Sequence, residues 1–311
     1  MENNFKHKKL GKTIKFICLV LFYYFLCIIL SFVTKFFISE NGYNFRFPVL
    51  KSAMNNFCHF AGALVILSYK NQNTKVEQPL ETFACALIGS IDIGISIYAL
   101  RQVDLAYYTI IKSATPVFIL LSGFCLGTEK INLITLCAMM LIALRTFMVT
   151  VRPVKTNSMD IYLLLGSAIV SGFRWSFIQF ILKRKKSNVF IAIRDICLPT
   201  SILLFIYSLR IYGIKDIVTS EFFKSISTAT FNMLLITILG MASLIILICE
   251  LTIVKKTSVL FLSVCAVLKE LAIVGISIVR CSKCMSKLNY MGIVISILGI
   301  LLYNAIKSKR I

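Results

Sequence analysis

Residues 14–34 read IKFICLVLFYYFLCIILSFVT, and this stretch decides the fold class. A helix needs about 20 mostly apolar residues to cross the hydrocarbon of a bilayer, and the stretch supplies that length with one charged residue, Lys15. Other basic residues precede it: Lys6, Lys8, Lys9 and Lys12. A basic start is typical of a signal peptide, but the run is too long for one and lacks a small-residue cleavage site. It therefore predicts a retained first spanning helix.

The composition of the whole chain points the same way. Of the 311 residues, 58% are hydrophobic and 15% charged, whereas a soluble domain has about 45–50% and about 25%. The alternating pattern of a membrane barrel is not visible, so the spans are expected to be helices. The net charge of +21 lies in short clusters between apolar runs, where lipid headgroups account for it. We expect a lipid bilayer as partner and no nucleic acid.

Apolar runs separated by Pro, Gly, Asn or basic clusters predict ten transmembrane helices. They fall near 14–34, 47–69, 80–100, 104–124, 131–150, 159–181, 191–212, 231–251, 257–279 and 288–306. An even number places both termini on one side of the membrane. The basic clusters at 183–186 and 307–310 then share that side, which the positive-inside rule identifies as the cytosol.

The sequence contains a weak internal repeat. A shift of 157 positions aligns Lys112 with Lys269, Lys130 with Lys287, Leu105 with Leu262, and Leu144 with Leu301. The repeat predicts an all-α polytopic protein with two five-helix halves, residues 1–150 and 151–311. Because five is odd, the second half is inserted upside down. Inverted repeats are typical of secondary transporters, in which two halves rock about a site near the bilayer midplane.

Two lysines in the middle of predicted spans are the main candidate substrate-binding residues. An ionised Lys112 or Lys269 costs about 2.5–3.5 kcal/mol on insertion scales, and two ammonium groups in one cavity would bind a phosphate group. Lysines left unpaired without substrate would favour exchange over one-way transport. The alternative is a structural lock, in which the lysines pair with Asp92 and Glu270. Asp92 could also neutralise a lysine in the absence of substrate or couple a proton.

Two further residues near these lysines are candidates for substrate binding. Tyr108 lies one helical turn before Lys112, where its ring could stack on a base or sugar, although ordinary helix packing explains it equally well. Arg174 precedes Trp175 in the sixth span, and it either binds the ligand or extends to the membrane surface.

The sequence shows no equipment for covalent chemistry or for binding a metal. A Ser/His/Asp set, a Walker loop and paired acid and base carboxylates are all missing, so we expect a protein that is not an enzyme. His7 and His59 are the only histidines, and Cys281 and Cys284 form a single CxxC pair. We expect no metal site and no cofactor.

Five segments carry a resemblance to a known family. They are SIDIGIS at 90–96, YYTIIKSATP at 107–116, SGFRWSFIQ at 171–179, KTSV at 256–259 and LKE at 268–270. Together they resemble the triose-phosphate/nucleotide-sugar transporters of the drug/metabolite transporter superfamily, and most closely the GDP-fucose transporter branch of solute carrier family 35. The resemblance implies ten helices in inverted repeats, and exchange of a sugar phosphate or nucleotide sugar for phosphate or a nucleoside monophosphate.

The resemblance also bears on individual residues. Lys112 and Lys269 match the lysines by which sugar-phosphate carriers of this group bind phosphate. Glu270 stands where those carriers have arginine, which disfavours simple triose phosphates and favours a nucleotide sugar.

The end of the chain suggests a location. Lys307 and Lys309 lie five and three places from the end, which resembles a dilysine signal that coat proteins use to retain proteins in the endoplasmic reticulum or early Golgi. A basic anchor for the last helix is the other interpretation. For the whole chain, the alternatives to a phosphate carrier are an exporter of a non-phosphorylated metabolite and a non-transporting membrane regulator.

Overall fold

The computed structural model describes residues 2–72, 79–103, 105–129, 132–150, 158–184 and 188–269, with isolated positions between 291 and 302. Helices make up nearly all of this part of the chain. In chain order they are α1 (Glu2–Ile38), α2 (Pro48–Tyr69), α3 (Pro79–Gln102), α4 (Leu105–Lys112), α5 (Thr115–Cys125), α6 (Leu133–Thr150), α7 (Ser158–Arg184), α8 (Val189–Tyr212), α9 (Ile214–Thr219), α10 (Ile226–Lys256) and α11 (Val259–Lys269).

Seven predicted spans are confirmed as helices, namely those that correspond to α1, α2, α3, α6, α7, α8 and α10. Their ends follow local chemistry. Pro48 begins α2, where a missing N–H is harmless, and the Asn188 side chain accepts a hydrogen bond from the Phe190 N–H at the start of α8. Gly213 ends α8 at φ 74°, a conformation that favours glycine. The ninth span is described only as far as Lys269, and the tenth lies largely outside the described residues.

The prediction of one continuous helix over 104–124 is wrong. The structure has two helices here, α4 and α5, joined by a turn at Ser113 and Ala114. Pro116 explains the interruption, because it has no N–H to donate to the carbonyl of Lys112 and its ring crowds that carbonyl. Lys112 therefore ends α4 at a break within the span.

The surface of the described helices suits a bilayer. Among the described residues, five helical segments are long and apolar enough to cross a membrane: Thr13–Ile38, Pro79–Gln102, Ile161–Lys183, Val189–Tyr212 and Ile226–Lys256. Large apolar side chains on them face outward, among them Phe25, Ile202 and Ile238. The chain is an integral membrane protein. Its division into two inverted repeats at residues 150 and 151 stays a prediction.

Small residues bring the helices close together. A Cβ atom at Gly172 of α7 would lie 2.5 Å from the Cβ of Phe118 in α5, so only glycine permits this approach. Next to it the hydroxyls of Ser122 and Ser176 lie 2.7 Å apart, and Ser122 also donates to the Gly172 carbonyl at 3.0 Å. The contact fixes α7 against α5. It also sets the position of the polar residues that follow Gly172.

Candidate anion-binding site

A cavity of about 450 Å³ lies between α1, α3, α4, α7, α10 and α11. This volume falls within the range of about 300–1,000 Å³ that is usual for small-molecule sites. Most of the lining is apolar. Five described residues on the wall carry charge: Asp92, Lys112, Arg174, Glu250 and Lys269. Charged groups inside a membrane protein are expensive, which makes these five residues candidates for functional positions.

Asp92 of α3 is the centre of one polar cluster in the cavity. Its Oδ1 atom lies 2.9 Å from Lys112 Nζ and accepts a hydrogen bond from the Ser96 hydroxyl at 3.1 Å. Its Oδ2 atom lies 3.5 Å from Arg174 Nε. The Asp92 side chain is only 4% exposed, against 12% for Lys112 and 20% for Arg174. One buried carboxylate thus joins two cations from different helices.

The side chain of Arg174 extends from α7 past Gly89 of α3 to this cluster. A Cβ atom at Gly89 would lie 3.2 Å from the Cδ of Arg174, so the glycine makes room for the stem of the arginine. The guanidinium carbon lies 5.2 Å from the centre of the Trp175 ring, within the range of a cation–π contact. Its Nε atom is buried and has no hydrogen-bond partner among the described residues. The contact of Nε with Asp92 is close enough for an ion pair but does not have the geometry of a hydrogen bond. The arginine therefore faces the cavity rather than the membrane surface.

A second polar cluster surrounds Lys269, the last described residue of α11. Lys269 Nζ lies 3.5 Å from the Tyr23 hydroxyl and 5.5 Å from the centre of the Tyr23 ring. The Tyr23 hydroxyl donates to Glu250 Oε1 of α10 at 3.2 Å. A tyrosine from α1 thus links the lysine to a carboxylate.

Sequence reasoning missed Tyr23 and Glu250. Glu250 is the only acidic residue in the stretch 231–251, and it precedes Lys269 by nearly the distance that separates Asp92 from Lys112. This near-equal spacing of acid and lysine in the two halves of the chain is the sequence signal that points to Glu250. Tyr23 gives no such signal, because an aromatic residue in an apolar run is ordinary.

The remaining predicted site residues divide between two outcomes. Tyr108 lines the cavity and also packs against the apolar cluster of Ala99, Val103, Ile111 and Leu164, so its position suits both interpretations. Glu270 lies outside the described residues, as do Lys307 and Lys309. The predicted partnership of Glu270 with a lysine stays a prediction.

One end of the cavity adjoins a buried amide. Gln179 lies one helical turn beyond Trp175 on α7 and is 1% exposed. Its Oε1 atom accepts from the N–H of Val259, the first residue of α11, at 2.5 Å. Its Nε2 atom donates to Glu129 Oε1 at 2.8 Å and to the Thr128 carbonyl at 3.4 Å, both in the segment after α5. A single side chain therefore joins three segments of the chain.

Comparison with known proteins gives a sequence relative and a structural one. The chain is 22% identical over 229 residues to a probable sugar phosphate/phosphate translocator of Arabidopsis thaliana, an alignment that covers 73% of this chain. The chain spans about half the length of that relative, of which 55% is covered. A protein of known crystal structure superposes with a TM-score of 0.62 at 14% identity, covering 95% of this chain and 98% of the other. No protein-family model matches the chain.

Fold and site together define an all-helical integral membrane protein, over the residues described, with a charged cavity among its helices. The structural likeness concerns the fold alone. The sequence likeness agrees with the resemblance to triose-phosphate/nucleotide-sugar transporters that the motifs carry.

Proposed function

We propose that this protein is a carrier that exchanges a phosphorylated solute, a nucleotide sugar or a sugar phosphate, for a nucleoside monophosphate or phosphate. The observation that carries the proposal is the group of three cations, Lys112, Arg174 and Lys269, on the wall of one cavity within a membrane protein. The likeness to a sugar phosphate/phosphate translocator supports it. We also propose that the protein is not an enzyme.

The chemistry of the three cations suits a phosphate group. A phosphate monoester carries a charge of roughly −1.5 to −2 at neutral pH and has three acceptor oxygens. Lys112 and Lys269 would act as point charges, and Arg174 would present its planar set of donors, including the Nε atom, which has no hydrogen-bond partner in the described part of the chain. A phosphate at this position would replace Asp92 as the acceptor of Lys112 and Arg174.

The rest of the cavity suggests a larger cargo than inorganic phosphate. The rings of Tyr108 and Trp175 on its wall offer surfaces for a base or a sugar. The glutamate at position 270 removes a positive charge that sugar-phosphate carriers of the resembled group have. We therefore propose a nucleotide sugar, with a GDP-sugar as the first to test, and a Golgi or endoplasmic-reticulum membrane with both termini in the cytosol.

Uptake into proteoliposomes tests this function. Vesicles preloaded with GMP or phosphate would be offered labelled GDP-sugars, UDP-sugars and sugar phosphates, with the wild type compared with Lys112→Ala and Lys269→Ala. Lys215→Ala is the matched control, because Lys215 is an exposed lysine outside the cavity. We expect exchange in the wild type and the control, and its loss in both cavity variants. A well-folded wild type that exchanges none of these solutes would refute the proposal.

One observation favours a second candidate, a carrier of a non-phosphorylated metabolite. The ion pair between Lys112 and Asp92, at 2.9 Å, is the close lysine–carboxylate contact expected if the lysine has a structural role. In that case phosphate would not compete for Lys112. Uptake of neutral and zwitterionic metabolites by the wild type, insensitive to added phosphate, would support this candidate over the first. The existence of a sizeable cavity around Lys112 argues against a non-transporting regulator.

A further inference from the structure

The cavity contains a matched set of carboxylates and lysines. In the first half of the chain, Asp92 of α3 faces Lys112 of α4. In the second half, Glu250 of α10 connects to Lys269 of α11 through the Tyr23 hydroxyl. Each half thus provides one carboxylate and, at nearly the same spacing along the chain, one lysine. Neither carboxylate is needed to bind an anion, and each of them would repel a bound anion.

We infer that Asp92 and Glu250 are internal counter-anions, which neutralise the lysines whenever the cavity holds no solute and so permit net transport as well as exchange. This inference rests on the proposed function, since it concerns how a phosphate carrier returns across the membrane without cargo. It also replaces the expectation that unpaired lysines make exchange obligatory. Lys112 has its ion-pair partner within the chain itself.

The charge balance of the cavity carries the argument. With the carboxylates ionised, the three cations and two carboxylates among the described lining residues give a net charge of +1. A bound phosphate of roughly −2 changes this to about −1. The loaded and unloaded cavities then carry net charges of equal size. The free-energy cost of switching the cavity from one side of the membrane to the other is therefore similar with and without cargo. A carrier with such a balance returns unloaded nearly as easily as loaded.

Removal of one carboxylate charge shifts this balance in a defined direction. In Glu250→Gln the unloaded cavity would carry +2, whereas the cavity with a phosphate would be close to neutral. Return without cargo becomes slow and return with cargo is favoured. Asp92→Asn shifts the balance in the same direction, although it also removes the bridge between Lys112 and Arg174. The ratio of exchange to net uptake should therefore rise in both variants.

The experiment measures this ratio with labelled inorganic phosphate as the probe. The full chain is reconstituted into vesicles that contain either unlabelled phosphate, for exchange, or none, for net uptake, with the membrane potential clamped to zero. Glu250→Gln and Asp92→Asn are compared with the wild type. Glu40→Gln is the matched control, because the Glu40 side chain is 71% exposed and lies outside the cavity. We expect measurable net uptake in the wild type and a ratio at least about fivefold higher in both cavity variants.

A variant that fails to fold does not leave the inference undecided. Tyr23→Phe keeps the ring and removes only the hydroxyl that joins Lys269 to Glu250, so it should raise the ratio as well, by a smaller factor. An unchanged ratio in the folded variants, or exchange without net uptake in the wild type, would overturn the inference while the proposed carrier function stands. Absence of wild-type exchange with phosphate and with every nucleotide sugar and sugar phosphate would instead refute the proposed function itself.

Discussion

The surroundings of the two cavity lysines differ in one respect. Lys112 contacts its carboxylate directly, at 2.9 Å, and shares it with Arg174. Lys269 Nζ lies 3.5 Å from the Tyr23 hydroxyl, and this hydroxyl donates to Glu250 Oε1 at 3.2 Å. A direct ion pair in a low-dielectric site is strong and leaves a large penalty when one partner is lost, whereas a contact through a neutral hydroxyl is weaker. The first cluster should therefore be the rigid side of the site, and the second the adaptable one.

The largest effect should come from removing the shared carboxylate. Asp92→Ala leaves Lys112 and Arg174 together without their anion, and loss of one partner of a buried pair typically costs about 3–5 kcal/mol of unfolding free energy. Glu250→Ala should cost less, about 1–2 kcal/mol, because the hydrogen bond that Glu250 accepts comes from a neutral tyrosine hydroxyl. Thermal unfolding in detergent measures the loss of stability in both variants. Equal losses would contradict the distinction between the two clusters.

A double variant sharpens this prediction. If the cost of Asp92→Ala arises from unpaired cations, then adding Lys112→Ala should return at least about 1 kcal/mol of it, since residues in direct contact do not contribute additively. The same stability measurement applies, with both single variants as references. Strict additivity would mean that Asp92 stabilises the fold by some other contact.

A substitution in α7 should disturb the first cluster alone. Gly172→Ala places a Cβ against Phe118 and forces α7 away from α5, which should cost about 1–3 kcal/mol and displace Arg174. Gly166→Ala in the same helix is the matched control, because a Cβ there meets no atom within 4 Å and alanine is the better helix former. The thermal unfolding temperature should fall for Gly172→Ala only. A similar loss in both variants would point to a general effect of helix substitution.

The smallest effect should come from the hydroxyl of Tyr23. Tyr23→Phe removes its contacts with Glu250 and Lys269 and keeps the buried ring, so stability should fall by about 1 kcal/mol. The measurement is again thermal unfolding, with Tyr69→Phe at an exposed tyrosine as control. A loss as large as that of Asp92→Ala would show that the second cluster is no more adaptable than the first.

The sequence predicted most of the helices, because a run of about 20 apolar residues has few stable arrangements other than a spanning helix. It also identified Lys112 and Lys269 as candidate site residues, because a charge inside such a run is costly, and the structure places both on the cavity wall. The same reasoning did not find Glu250, since the span was expected to end at residue 251, where an acid would lie near the membrane surface. The structure continues α10 to Lys256, which places Glu250 inside the helix and on the cavity wall.

The break between α4 and α5 shows a different limit. Pro116 was visible in the sequence, but the apolar residues on both sides of it predicted one uninterrupted span. Whether a proline kinks a helix or divides it depends on the packing around it, and here Gly172 and Ser176 of α7 pack against the start of α5. The local composition of a segment does not predict such contacts with distant parts of the chain.

The buried amide of Gln179 has a thermodynamic consequence. Because its hydrogen bonds join α7, the segment after α5 and the start of α11, these segments cannot separate one at a time without leaving a polar group unsatisfied in a dry environment. Their separation is therefore cooperative. We expect the three segments to come apart as one unit, so that substitution of Gln179 alone would loosen all of them together.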